Sequence, residues 1–386
     1  MSTINIHDYK IRKLIKAADK GKVDVVKALV NAGENVNQMD QHGVPLLYIA
    51  ARKGHINVVS ALVDAGASLD QANNNGETTL FFAARNGNIH LVRVLVKAGA
   101  SVDYTNNNGE TPLFFSARKD NIKVVRALLK AGASVNHANE DGETPLFFAA
   151  RKGNVEVLHE LLNAGAKVNH ANEDGETPLC IAALQGHINV LRALLDAGAN
   201  MHHETNFDET PLQIAAEQGR IDVLQELLNA GANVDQANSD GETALFIAAE
   251  TDHVNVVRAL LDAGASIDKV NYSGVTPLQI AVFHDHNDVL HALLEAGASV
   301  DRVNNNGETP LFVSAHNGYI DGVRALVEAG ANVDQQVMSA AESSGNQNVV
   351  DLLRLAITKK KELIPALMER VSQKKDEKNV ILGARS

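Results

Sequence analysis

Asn139-Glu-Asp-Gly-Glu-Thr-Pro-Leu-Phe-Phe-Ala-Ala-Arg-Lys-Gly-Asn-Val-Glu-Val-Leu-His-Glu-Leu-Leu-Asn-Ala-Gly-Ala-Lys-Val-Asn169 holds a turn, two short helices and the return to the next turn. Asn139 to Gly142 reads as the turn, with glycine supplying the positive φ. Thr144 suits a helix N-cap and Pro145 the first helical position. Leu146 to Lys152 is predicted as a short helix stopped by Gly153. A second helix is predicted over Val155 to Asn163, where Val157, Leu158, Leu161 and Leu162 recur at helical spacing and Gly165 ends the run. Helices of two turns are unstable alone, so stacking on neighbours has to supply most of the stability.

The neighbours are copies of the same unit. Turn positions fall every 33 residues, at Gly43, Gly76, Gly109, Gly142, Gly175, Asp208, Gly241, Gly274 and Gly307. A fixed period of this length is the signature of stacked repeats, in which each unit touches only its neighbours.

Thr111-Pro112-Leu113, Thr144-Pro145-Leu146, Thr177-Pro178-Leu179 and Thr210-Pro211-Leu212, with Ala-Gly-Ala recurring from Ala65-Gly66-Ala67 to Ala329-Gly330-Ala331, make the chain resemble the ankyrin repeat family over about residues 9–357. The resemblance implies an all-α ankyrin-repeat solenoid: stacked helix-turn-helix pairs with projecting β-hairpin fingers and terminal capping units. The expected organisation is an N-terminal helical cap repeat at 1–37, nine repeats at 38–335, a C-terminal cap lacking a finger at 336–358, and a helical or disordered tail at 359–386. Lys16 stands where interior repeats have Phe, Ile or Val, as a solvated outer face requires. Gly318 to Gly345 spans 27 residues, six short of the period, which deletes the last finger.

Three columns depart from the family pattern. The residue after Thr-Pro-Leu, usually His, is Tyr48, Phe81, Phe114, Phe147, Cys180, Gln213, Phe246, Gln279 and Phe312. The imidazole bonds between fingers are therefore absent, with Gln left as a partial substitute, and the Phe residues read as core. Asp120, Asp252 and Asp285 replace the glycine between helices and Asp208 the glycine of a finger turn, places where Asp tolerates a left-handed backbone.

The net charge of −12 disfavours nucleic acid as a general partner. A single Cys180 excludes an internal disulfide and fits a reducing, cytoplasmic setting, or a host cytosol if the chain is a secreted effector. No apolar run approaches a membrane span and no secretory core opens the chain. Phosphate-loop, dinucleotide-binding and hydrolase motifs are missing, so no catalytic, cofactor or metal residue is expected. His137, His170 and His203 recur one layer apart, ~10 Å, too far to share a metal.

The resemblance implies that finger tips and inner helices bind a protein partner. The groove positions after each Ala-Ala pair run Arg52-Lys53, Arg85, Arg118-Lys119 and Arg151-Lys152, then Leu184, Glu217, Glu250, Phe283 and His316. Phe207 and Tyr272 fall at finger tips. Glu77, Glu110 and Glu143 are placed to pair with Arg85, Arg118 and Arg151; such pairs, if exposed, contribute only ~0–1 kcal/mol and leave the arginine open to a partner carboxylate. Arg52 lacks that glutamate. These residues point to a non-enzymatic protein-interaction module or scaffold, monomeric, taking an acidic extended or helical segment along its N-terminal half. A solubilising charge ladder is the bland reading of the same pattern. The other functional reading is an effector or adaptor that presents a bound protein to a partner enzyme, with the C-terminal tail as second contact.

Overall fold

The computed structural model describes residues 6–359, and the expected tail lies outside them except for Lys359. Local chemistry places the helices where the sequence puts them. Thr144 Oγ1 accepts from the Phe147 N–H at 3.3 Å, and with Pro145 in the first turn the helix runs Pro145–Lys152, one residue earlier than predicted. Gly153 closes it at φ 74°, and the following helix spans Val155–Asn163.

Contacts divide the chain after Pro211 into two compact units. The first holds α1 (Ile6–Asp19), α2 (Val23–Asn31), α3 (Leu46–Arg52), α4 (Ile56–Asp64), α5 (Thr79–Arg85) and α6 (Ile89–Lys97). It continues with α7 (Pro112–Arg118), α8 (Ile122–Lys130), α9 (Pro145–Lys152), α10 (Val155–Asn163), α11 (Pro178–Gln185) and α12 (Ile188–Asp196). Helix α13 (Pro211–Glu217) starts at the boundary residue. The second unit carries the rest of α13, then α14 (Ile221–Asn229), α15 (Ala244–Glu250), α16 (Val254–Asp262), α17 (Pro277–Phe283) and α18 (Asn287–Glu295). It ends with α19 (Pro310–Asn317), α20 (Ile320–Glu328), α21 (Gln335–Ser344) and α22, helical over residues 347–359.

Within each unit the first, inner helix of a pair packs on the next inner helix and the outer helix on the next outer one. Leu46, Leu80, Leu113, Leu146 and Leu179 are buried in the first unit, and Leu245, Leu278 and Leu311 in the second. Phe81, Phe114, Phe147 and Phe246 are buried as the core reading requires, whereas Phe312, with no finger after it, is only half-buried. Edge-on rings tie successive layers: Tyr48 to Phe82 at 5.4 Å, Phe81 to Phe115 at 5.6 Å and Phe114 to Phe148 at 5.4 Å between centroids.

The described fingers project as turns without a strand ladder. No strand occurs among the described residues, and only two isolated bridges form, Met39 with Pro45 and Ala237 with Thr243. A side chain replaces the ladder: Asn73 Oδ1 accepts from the N–H groups of both Asn75 and Glu77, and two main-chain bonds, Asn73 N–H to Glu77 O and Gly76 N–H to Asn73 O, close the tip. Successive tips are joined by single main-chain bonds, such as Asn206 N–H to Asp174 O at 3.0 Å and, in the second unit, Tyr272 N–H to Asp240 O at 2.9 Å.

Asp120, Asp208, Asp252 and Asp285 have φ of 58°, 59°, 61° and 58°, the left-handed backbone that the sequence predicts for them. The missing histidines are partly replaced as well. Gln213 Nε2 donates to Glu242 O at 3.0 Å, and Gln279 Nε2 donates to Arg302 O at 3.1 Å and Glu308 O at 2.9 Å. Tyr48 does the same job with its hydroxyl, which donates to Glu77 on the next finger.

Candidate functional site

On the first unit, the residues that follow the Ala-Ala pairs divide into held and open cations. Arg85 Nη1 lies 2.6 Å from Glu77 Oε1, while Tyr48 Oη and Asn73 Nδ2 donate to Glu77 Oε2. Burial raises the Tyr48 phenol above its usual range, and the adjacent Glu77 carboxylate adds to the shift. Arg118 sits 3.9 Å from Glu110, its guanidinium carbon 4.8 Å from the Phe115 centroid and 5.9 Å from that of Phe148. Arg151 pairs with Glu143 and stands 4.8 Å from the Phe147 centroid and 5.2 Å from that of Phe148.

Exposed pairs open to competition are what the sequence predicts at these three places, and the geometry corrects that. Glu77, Glu110 and Glu143 are buried, each less than a tenth exposed. A partner carboxylate that drew Arg85 or Arg151 away would strand a desolvated anion, which costs more than an exposed pair returns. The Arg118 and Arg151 guanidiniums are also held over phenyl faces. The sequence signal for this was present: Phe precedes Arg118 by three residues and Arg151 by three and four, the spacing at which helix side chains meet.

The open cations are different residues. Arg52 is exposed and has no ion pair among the described residues, as its missing glutamate predicts. Lys119 and Lys152 are exposed too, and Lys53 reaches Asp19 at 3.4 Å. Leu184 is half-buried, and Phe207 at its finger tip is 69% exposed. Between α1, the first finger and α3 lies a pocket of about 620 Å³. Ile11, Ile15, Met39 and Ile49 contribute apolar wall, and Arg12, Lys16 and Arg52 stand at its cationic side, with Asp19 and Asp40 opposite in charge.

The second unit presents acidic and aromatic groups. Glu217 and Glu250 are half-buried. Burial raises the Glu250 carboxyl above its ordinary value; Glu242 and Glu217 push in the same direction and His284, 4.0 Å away, opposes them. His284 stacks on His286 at 5.5 Å, and Phe283, 56% exposed, meets His284 edge-on at 5.1 Å. Tyr272 is 75% exposed at its finger tip. His316 is exposed and lies parallel to Phe312 at 6.1 Å.

Two histidines of the 33-residue column are ties between fingers, a role their spacing did not announce. His137 Nε2 hydrogen-bonds Gly109 O at 2.9 Å and His203 Nε2 hydrogen-bonds Gly175 O at 2.8 Å. Among the described residues no group of three His, Cys, Asp or Glu side chains is placed to hold a metal, and no helix is long and apolar enough to cross a membrane.

A family model described as ankyrin repeats, in three copies, is similar to seven overlapping stretches: residues 14–106, 66–139, 90–172, 131–205, 165–238, 197–271 and 264–337. No curated protein matches the chain. Among solved structures, the human ASB11 ankyrin repeat domain is similar at 27% sequence identity and a TM-score of 0.53, over 58% of this chain and 100% of that one.

Proposed function

Because the chain belongs to the ankyrin repeat family, matched from residue 14 to residue 337, we propose that it is a non-enzymatic scaffold whose inner helices and finger tips hold a protein partner. Ankyrin repeats are generally protein–protein interaction modules. The observation that carries the reading here is the pocket beside α1 and α3, where isoleucines and Met39 meet Arg52, an exposed cation with no ion pair among the described residues. That combination suits an acidic segment with interspersed apolar side chains, in which carboxylates set approach and orientation and the buried apolar groups supply the area. Lys119 and Lys152 extend the open charge to later repeats of the same unit. Layers ~10 Å apart match about three residues of extended peptide at ~3.3 Å each. The partner is bound by a monomer at work in the cytoplasm, where the lone thiol stays reduced.

Affinity capture from the native cell with the wild-type chain and with an Arg52→Glu/Lys119→Glu/Lys152→Glu variant tests the proposal. A protein recovered by the first and lost from the second supports it. Equal recovery by both variants refutes the inner-face assignment, and loss of capture only on deleting residues 359–386 favours the adaptor reading centred on the tail.

A further inference from the structure

The outer helices α6 and α8 enclose a shallow pocket of about 570 Å³ that belongs to neither the inner face nor the fingers. Val92, Val96, Ala127 and Ala131 form its apolar floor. Arg93, Lys97, Lys123, Arg126 and Lys130 line its rim, with no acidic residue among them. All five are exposed. Arg126 is committed elsewhere: its Nε and Nη2 donate to Glu160 Oε1 on α10 at 2.8 and 2.6 Å. The other four make no ion pair among the described residues.

A cation in the last turn of a helix is often explained by the helix dipole. That account is weak here, because the other outer helices of the unit end at Asn31, Asp64, Asn163 and Asp196 in the position held by Lys97 and Lys130. Two adjacent repeats thus break a column that is otherwise neutral or acidic, in a chain of net charge −12. The break falls where an apolar pocket opens between the same two helices.

We propose that this outer face is a second docking surface, for an acidic amphipathic segment of a protein partner. The cations favour carboxylates by charge complementarity, and the concave apolar floor takes side chains such as Leu from one face of the segment. Nucleic acid fits less well, because no aromatic side chain lines the pocket for bases to stack on. A membrane surface fits less well too, since the apolar groups are recessed below the cations rather than projecting beyond them to enter lipid. The proposal is independent of the inner-face function.

Fluorescence anisotropy of the full chain tests it, with a labelled helical peptide carrying Leu at i, i+3 and i+7 flanked by Glu. Phosphatidylserine-containing vesicles and single-stranded DNA serve as parallel probes. Saturable peptide binding that weakens as salt is raised, falls about tenfold or more in Lys97→Glu/Lys130→Glu, and persists in Arg52→Glu supports the proposal. Peptide binding unchanged by the lysine reversals overturns it, as does vesicle or DNA binding stronger than that of the peptide. Because the reversed side chains are exposed, circular dichroism of the variant is expected to match wild type, and loss of affinity through a single Val96→Asp change at the floor gives a second readout.

Discussion

Arg85 donates at 2.6 Å to Glu77, eight residues earlier in its own repeat, and the carboxylate it holds is buried while the guanidinium remains one-third exposed. The pair therefore behaves as part of the framework. Removing the cation leaves Glu77 with only the Tyr48 hydroxyl and the Asn73 amide as side-chain partners. Arg85→Ala is expected to destabilise the chain by about 1–3 kcal/mol, scaled down from a fully buried pair by its exposure. Arg52→Ala, at an exposed cation with no ion pair among the described residues, should stay within about 0.5 kcal/mol. Urea unfolding followed by circular dichroism distinguishes them; equal effects would mean that the Glu77 contact does not carry stability.

Gln279 supplies a different kind of tie. Its side chain completes a capping box with Thr276 and donates to the carbonyls of Arg302 and Glu308 on the following finger. Gln279→Ala is expected to cost about 2 kcal/mol, because it removes the reciprocal cap and leaves both carbonyls without that donor. In stacked repeats the damage should be local, so hydrogen exchange ought to rise around residues 302–309 while α3 to α9 keep their protection.

These two sites also mark what the sequence makes legible. Thr144, Pro145, Gly153 and the aspartates at left-handed positions act through local backbone chemistry, so their identity and spacing suffice to place turns and helices. Arg85, Arg118 and Arg151 read as open ligands because a sequence shows charge but not burial. The phenyl groups under Arg118 and Arg151 are visible at helical spacing, but the burial of the glutamates, and the approach of Phe148 to Arg118, depend on laying one repeat on the next. The lysines closing α6 and α8 are visible as breaks in a column, yet their common pocket depends on the same stacking. Arg52 was readable because the difference lay in a missing neighbour, Val44 where the next six repeats, Glu77 to Glu242, have Glu.

Glu250 makes stability depend on pH. Its folded-state value lies above the ordinary 4.5, chiefly from burial and then from Glu242. Folding therefore favours the protonated carboxyl: the contribution of this group is fully present below pH 4.5 and is lost as pH rises through the raised value. Glu250→Gln should consequently stabilise the chain at neutral pH, by at most ~1 kcal/mol given its exposure, and make no difference in acid. Thermal melts of both proteins across the range from acid to neutral check the sign; a destabilised Gln variant at pH 7 would show that the carboxylate has a favourable partner there.

Gly175 is irreplaceable for two separate reasons. Its φ is 76°, and a Cβ placed on it would stand 2.6 Å from the backbone N of Asn206 on the next finger. Gly165 has a similar φ of 87° but open space around it. Both Ala substitutions incur the left-handed penalty of about 1 kcal/mol, and only Gly175→Ala must also push two fingers apart. Chemical unfolding should rank Gly175→Ala well below Gly165→Ala, and equal losses would show that the finger contact yields without cost.

Cys180 tests the tightness of the inner-helix core directly. The thiol is buried beneath the Thr177 cap, whose hydroxyl donates to Sγ at 3.3 Å. Burial raises its pKa above the ordinary 9.0, and the Thr177 hydrogen bonds only partly offset the shift. The thiolate, which is the reactive form, is thus doubly disfavoured in the folded chain, by charge desolvation and by access. Iodoacetamide should leave native protein unmodified at neutral pH and alkylate it rapidly in urea. Because the folded state holds the proton more tightly, stability from this group is present below pH 9 and declines as alkaline pH favours the unfolded thiolate. Cys180→Ala should flatten that alkaline decline while lowering stability at neutral pH by about 1 kcal/mol through lost packing. Alkylation of the native chain at a rate close to that in urea would mean that α11 opens readily.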